Sequence, residues 1–112
     1  NHGGIVAEAD PLLEIVQAVD SPWVGINLDT GNFHTEDPYG DLVKCAPFAV
    51  NVQLKVEIAP RGQTKQPSDL ARLVRILKDA HYQGHVLLEY EAAEDAWQAI
   101  PRHIAALKPL LA

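Results

Sequence analysis

The sequence predicts an α/β fold whose strands run parallel. Two observations carry this. Apolar residues at helical spacing alternate along the chain with short runs of period two, and each strand-like run is separated from the next by a helix-length segment. Strands joined through helices form crossover connections, which place them parallel in one sheet. The order read from Asn1 to Ala112 is helix, strand, helix, strand, helix, strand, helix, with no linker or low-complexity stretch, so the segment is one compact unit.

Each element has its own signal. Asp10-Pro11 reads as a cap followed by proline at the first helical position, and Leu12, Val16 and Val19 recur behind it until Asp20-Ser21-Pro22 ends the helix. Val24 to Leu28 is a short strand closing at Asp29, followed by a loop over Thr30-Gly31-Asn32-Phe33-His34. A shorter helix runs from Pro38 to about Phe48 and carries Leu42, Val43 and Cys45. Val50, Val52, Leu54, Val56 and Ile58 alternate strictly with Asn51, Gln53, Lys55 and Glu57, the clearest strand in the chain. Beyond the turn at Pro60 to Thr64, Pro67-Ser68-Asp69 caps a helix with Leu70, Leu73, Val74 and Leu77 on one face, and Gly84 is placed to end it. His85 to Tyr90 is the third strand. The terminal helix has Trp97, Ile100, Ile104, Leu107 and Leu111 at core spacing, and Pro101 is expected to kink or split it.

Composition narrows the function. The 112 residues are 47% hydrophobic and 21% charged, a globular balance. Nine Lys+Arg against fifteen Asp+Glu give a net charge of -6, which does not favour nucleic acid. No apolar run is long enough to span a membrane. The single cysteine, Cys45, excludes an internal disulfide and a Cys-rich zinc site and suits a cytoplasmic location. There is no methionine and the chain opens on Asn1-His2-Gly3-Gly4, so it reads as a piece of a longer protein.

The strand phases point to a site. Parallel strands covered on both faces read as continuous apolar runs; these instead keep one polar face, with Asn27 and Asp29 on the first, Asn51, Gln53 and Lys55 on the second, and Glu89 on the third. An open doubly wound sheet and an arc of a (β/α)8 barrel both accommodate the pattern, as does a sheet with one solvated face. In a barrel the polar face lines the lumen and the C-terminal strand ends carry the chemistry. Asp29, Gln53, Lys55 and Glu89 then converge, and two carboxylates aimed at one lumen suggest a divalent cation. The plainer readings are that Asp29 caps its loop, that Glu89 makes a surface ion pair, and that Lys55 neutralises neighbouring carboxylates. Gln53 is a weak ligand or a hydrogen-bonded lumen residue. His34, His81, His85 and His103 read as structural or solvated, and Cys45 as helix packing.

In order along the chain stand Asn1-His2-Gly3-Gly4, Gly25-Ile26-Asn27-Leu28-Asp29-Thr30-Gly31-Asn32-Phe33, Val52-Gln53-Leu54-Lys55 and Leu88-Glu89-Tyr90-Glu91. This set resembles the C-terminal half of the xylose isomerase-like TIM barrel superfamily (AP endonuclease family 2), over about strands five to eight with their helices, residues 1–112. The resemblance implies an enzyme, a metal-dependent isomerase or epimerase acting on a small sugar, sugar phosphate or polyol by proton transfer next to a carbonyl. It also implies one divalent metal (Mn, Mg or Co). Matched to the family pattern, the metal ligands are Asp29, Gln53 and Glu89, with Gln53 standing where relatives often have His, and a first Glu falls just before Asn1. Glu89 and Lys55 take the catalytic positions, and His2, Asn32 and Lys55 face substrate. Asn32 stands where the epimerases have a substrate-contacting His. A non-catalytic sugar-binding barrel is the competing class. An endonuclease IV-like enzyme is disfavoured by the few histidines at strand ends and by the acidic balance. A half-barrel exposes two sheet edges, so a homo-oligomer, or association with an N-terminal half, is expected.

Overall fold

The computed structural model describes residues 1–112. Three parallel strands form its centre: β1 (Ile26–Asp29), β2 (Ala49–Lys55) and β5 (Val86–Glu89), in spatial order β1-β2-β5. Helices α1 (Ala9–Val19), α2 (Pro38–Cys45), α3 (Leu70–Asp79) and α4 (Ala96–Leu111) alternate with them. Sequence-adjacent strands lie side by side, as in an arc of a barrel, and extents of 43 × 34 × 20 Å describe a thin two-layer slab.

The core lies between the sheet and the helices. Ile26, Leu28, Val52 and Leu54 point from the strands onto Ala9, Leu12 and Val16 of α1, Leu42 and Cys45 of α2, and Leu73, Val74, Ile76 and Leu77 of α3. Phe33, in the loop after β1, is fully buried and is the largest side chain so enclosed. Cys45 is likewise buried, as its helical spacing predicts, and burial pushes its thiol up to about 11, away from reactivity. Asp69 and Asp95 accept hydrogen bonds from the backbone N–H groups of Arg72 and Gln98, capping α3 and α4.

Several expectations need correction. The long alternating run is not one strand. β2 ends at Lys55, and the chain turns into a two-residue β3 (Glu57–Ile58) that pairs antiparallel with β4 (Gln66–Pro67). Val50 is 62% exposed because the β1–β2 register slips there: Ile26 faces Ala49 while Asn27 faces Asn51, which leaves Val50 as a bulge outside the alternation. β1 begins at Ile26, since Val24 belongs to the turn from Ser21. Glu8, not Asp10, precedes α1; Asp10 lies in its first turn and pairs with Lys44 at 2.9 Å. The left-handed residue ending α3 is His81 (φ 55°), not Gly84. The second helix stops at Cys45 and tightens into a 3₁₀ turn over Ala46–Phe48. α4 runs through Pro101 as one helix, and it turns Ala99, Leu107 and Leu110 inward while Trp97 is 89% exposed. No helix is long and apolar enough to cross a membrane.

Candidate functional site

The strand register builds the site. Asp29 lies opposite Gln53 across β1 and β2, and Lys55 opposite Glu89 across β2 and β5, so all four stand at the C-terminal ends of parallel strands. Period two sends Leu28 and Leu54 into the helix layer and their neighbours Asp29, Gln53 and Lys55 to the opposite face.

Lys55 is the hub. Its side chain is only 10% exposed, and its ammonium lies 2.8 Å from Glu91, 3.3 Å from Asp29 and 3.9 Å from Glu89. It also donates to Asn32 Oδ1 at 3.1 Å. Burial opposes the charge, but the bond to Glu91 and the charges of Asp29 and Glu89 outweigh it and hold the lysine above its ordinary range. Glu91 is correspondingly held below the ordinary carboxylate range by Lys55.

The segment Asp29 to Asn32 wraps this lysine. Asp29 is 4% exposed; its Oδ1 accepts the Gly31 N–H at 2.9 Å, and its Oδ2 faces the ammonium. Thr30 Oγ1 accepts the Lys55 N–H at 2.9 Å. Gly31 leaves the space in which the Lys55 stem lies, since a Cβ there would come within 2.9 Å of Lys55 Cβ and 2.7 Å of Lys55 Cδ. Asn32 bridges onward, its Nδ2 lying 3.0 Å from His2 Nδ1. Asn1 fixes the other flank of β1, accepting the Asp29 N–H at 2.9 Å and donating to the Asp29 carbonyl at 3.1 Å.

Gln53 stands apart from the hub. Its Oε1 accepts from Asn27 Nδ2 at 2.7 Å, and Asn51 donates to Asn27 Oδ1 at 2.8 Å, an amide ladder across the polar face. Glu89 is the reverse case. Its Oε2 is buried and has no hydrogen-bond partner, an unspent acceptor at the site. A cleft of about 270 Å³ opens on the Lys55 side of the site, lined by His2, Asn32, His34, Lys55, Lys65 and Glu91 among others, with Gln53 and Glu89 outside its lining. His34 bonds the Ala59 carbonyl at 3.1 Å and forms part of its wall. His103, also read as structural, stacks on Tyr90 at 5.8 Å.

A family model for xylose isomerase-like TIM barrels matches residues 1–108. The chain belongs to that family. No curated protein matches the sequence. As a family member it is a stretch of an α/β barrel, and its C-terminal strand ends are where the fold places chemistry. The structure brings together five of the sequence-predicted residues, Asp29, Lys55 and Glu89 with Asn32 and His2, while Gln53 is engaged elsewhere. Glu91, Thr30 and Gly31 stand in the sequence motifs without an assigned role, and they too belong to the site. Glu91 follows Glu89 by two residues, the spacing that returns a side chain to the same side of an extended chain, and that was the available signal.

The arrangement does not fit the divalent metal implied by the family resemblance. No group of three His, Cys, Asp or Glu side chains is placed to hold one. Gln53's oxygen is taken by Asn27, and the Lys55 ammonium stands between the carboxylates of Asp29, Glu89 and Glu91.

Proposed function

We propose that the chain supplies the C-terminal half of the active site of a sugar isomerase or epimerase, acting on a small sugar, sugar phosphate or polyol by proton transfer next to a carbonyl. The observation that carries this is the pairing of an unpartnered buried carboxylate oxygen, Glu89 Oε2, with a fixed cation, Lys55, which itself lines a cleft of sugar size. A carbon acid next to a carbonyl needs a base for its proton and a positive group for the enediolate oxygen that forms. Glu89 Oε2 takes the proton. Lys55 turns one N–H towards the substrate oxygen, and the half-exposed Glu91 is the counter-ion free to yield it. Asn32 and His2 hold substrate hydroxyls along the cleft wall. The return proton comes from a second group across the substrate, which the resemblance locates just before Asn1.

A binding module without chemistry is the second reading, favoured by one observation: the Lys55 ammonium already donates to Asn32 and is ion-paired with Glu91 and Asp29. Solvent exchange separates the two. In D₂O the protein, with its barrel complete, is expected to place deuterium on the carbon next to the carbonyl of a ketose or ketose phosphate, followed by proton NMR. Glu89→Gln should slow this at least about 100-fold while sugar binding persists. Binding without deuterium incorporation by the unsubstituted protein would decide for the module.

A further inference from the structure

We propose that Lys55 is the resident cation of this site, standing in the position for which its carboxylates would otherwise recruit a divalent ion, so that the site works without a metal. The inference rests on the proposed sugar chemistry for what the cation does, but on separate observations for where the cation is.

The loop after β1 is built around this side chain. Asp29-Thr30-Gly31-Asn32 supplies four consecutive contributions to one lysine: a carboxylate to its ammonium, a hydroxyl to its backbone N–H, an absent side chain for its stem, and an amide oxygen that accepts from its ammonium. Glu91 adds a second close carboxylate at 2.8 Å from beyond β5. One hydrogen bond and three carboxylates within 4 Å thus surround a single ammonium.

The lysine also has little freedom to leave. Its backbone is in register between Asp29's strand and Glu89's strand, its side chain is 10% exposed, and its stem is packed over Gly31. A hard divalent ion needs oxygens at about 2.0–2.6 Å. An ion bound to Asp29 and Glu89 at such distances would crowd an ammonium that those same carboxylates already hold, with like charges opposed at a poorly solvated point. Ligands contributed by another part of the barrel would not remove that conflict, because the lysine comes from the central strand. The positive charge that the chemistry requires is therefore encoded in the chain.

The test is Mn²⁺ binding to the protein, read by electron paramagnetic resonance of free Mn²⁺, with circular dichroism as the check on folding. The unsubstituted protein is expected to take up no Mn²⁺ below millimolar concentration. Lys55→Gln keeps much of the stem and removes the charge; it should bind Mn²⁺ about tenfold tighter or better, and adding Asp29→Asn should reverse the gain. A stoichiometric Mn²⁺ site in the unsubstituted protein that weakens with Asp29→Asn would overturn the inference, as would a folded Lys55→Gln variant that gains no affinity. Should Lys55→Gln not fold, the titration of the unsubstituted protein with and without Asp29→Asn decides. None of these readings needs a sugar. Failure to incorporate deuterium, with the Mn²⁺ pattern as expected, would therefore count against the proposed reaction and leave the cation assignment standing.

Discussion

A single lysine links most of the site's charge, and its titration gives it a signature. Lys55 is held above its ordinary value of 10.5, so the stability it contributes is complete below that value and lost as pH rises through the higher folded one. Glu91 is held below its ordinary 4.5, so its contribution is present above that value and lost as pH falls through the lower folded one. The urea midpoint is therefore expected to show a plateau from about pH 5 to about pH 10 that falls at both ends. In Lys55→Gln the contribution of this pair to both flanks should vanish. The plateau itself should drop by about 3–5 kcal/mol, because Asp29 is left buried without its counter-charge. At this scale the sequence was informative in kind but not in connection. It marked Asp29, Lys55 and Glu89 as facing one way. It could not show that Gln53 spends its oxygen on Asn27, since that choice depends on where two amides meet across a register set elsewhere.

At the level of elements, one cap of three was legible, since Asp69 caps α3 while Asp10 and Gly84 do not cap their helices. Asp69 stands where its sequence context places it, because a cap is a local contract between a side chain and N–H groups three residues on; Asp95 caps α4 in the same way without having been singled out. Tyr39 ties α2 to the start of α3, accepting the Asp69 N–H at 2.8 Å and lying 4.1 Å beneath the Arg72 guanidinium. Asp69→Ala is thus expected to cost about 1 kcal/mol in chemical denaturation. Pro101→Ala should do the opposite and stabilise by about 1–3 kcal/mol, since it restores one of the two N–H groups that Pro101 and Pro109 remove from the helix. The face of α4 was misjudged for a physical reason. Helical period fixes which residues align but not which stripe meets the sheet, and the inward stripe here is Ala99, Leu107 and Leu110 with His103 against Tyr90. Phe33 escaped notice because it belongs to no periodic run, although it fills the core from a loop. The split of the alternating run after Lys55 was equally hidden, as both halves obey the same period.

Taken whole, the molecule is a slab with a finished side and an unfinished one. Helices cover one face of the sheet, while β1 and β5 have no strand beyond them and Asn27, Val50 and Leu87 are open to solvent. Asn1 covers part of the β1 edge through its two bonds to Asp29, and β5 has no such cover from another strand. Parallel edges of this kind invite pairing. The 112-residue chain by itself is expected to sediment as a dimer or larger, and a single species at its own 12.3 kDa would overturn that expectation. The exposed tryptophans give the molecule an unplanned property. Trp23 and Trp97, the chain's two indoles, are 93% and 89% exposed, so both already emit from water in the folded state. Loss of the fold would change their colour little, whereas any neighbour laid over them would shift it to the blue. The native fluorescence of this protein reports company, not folding.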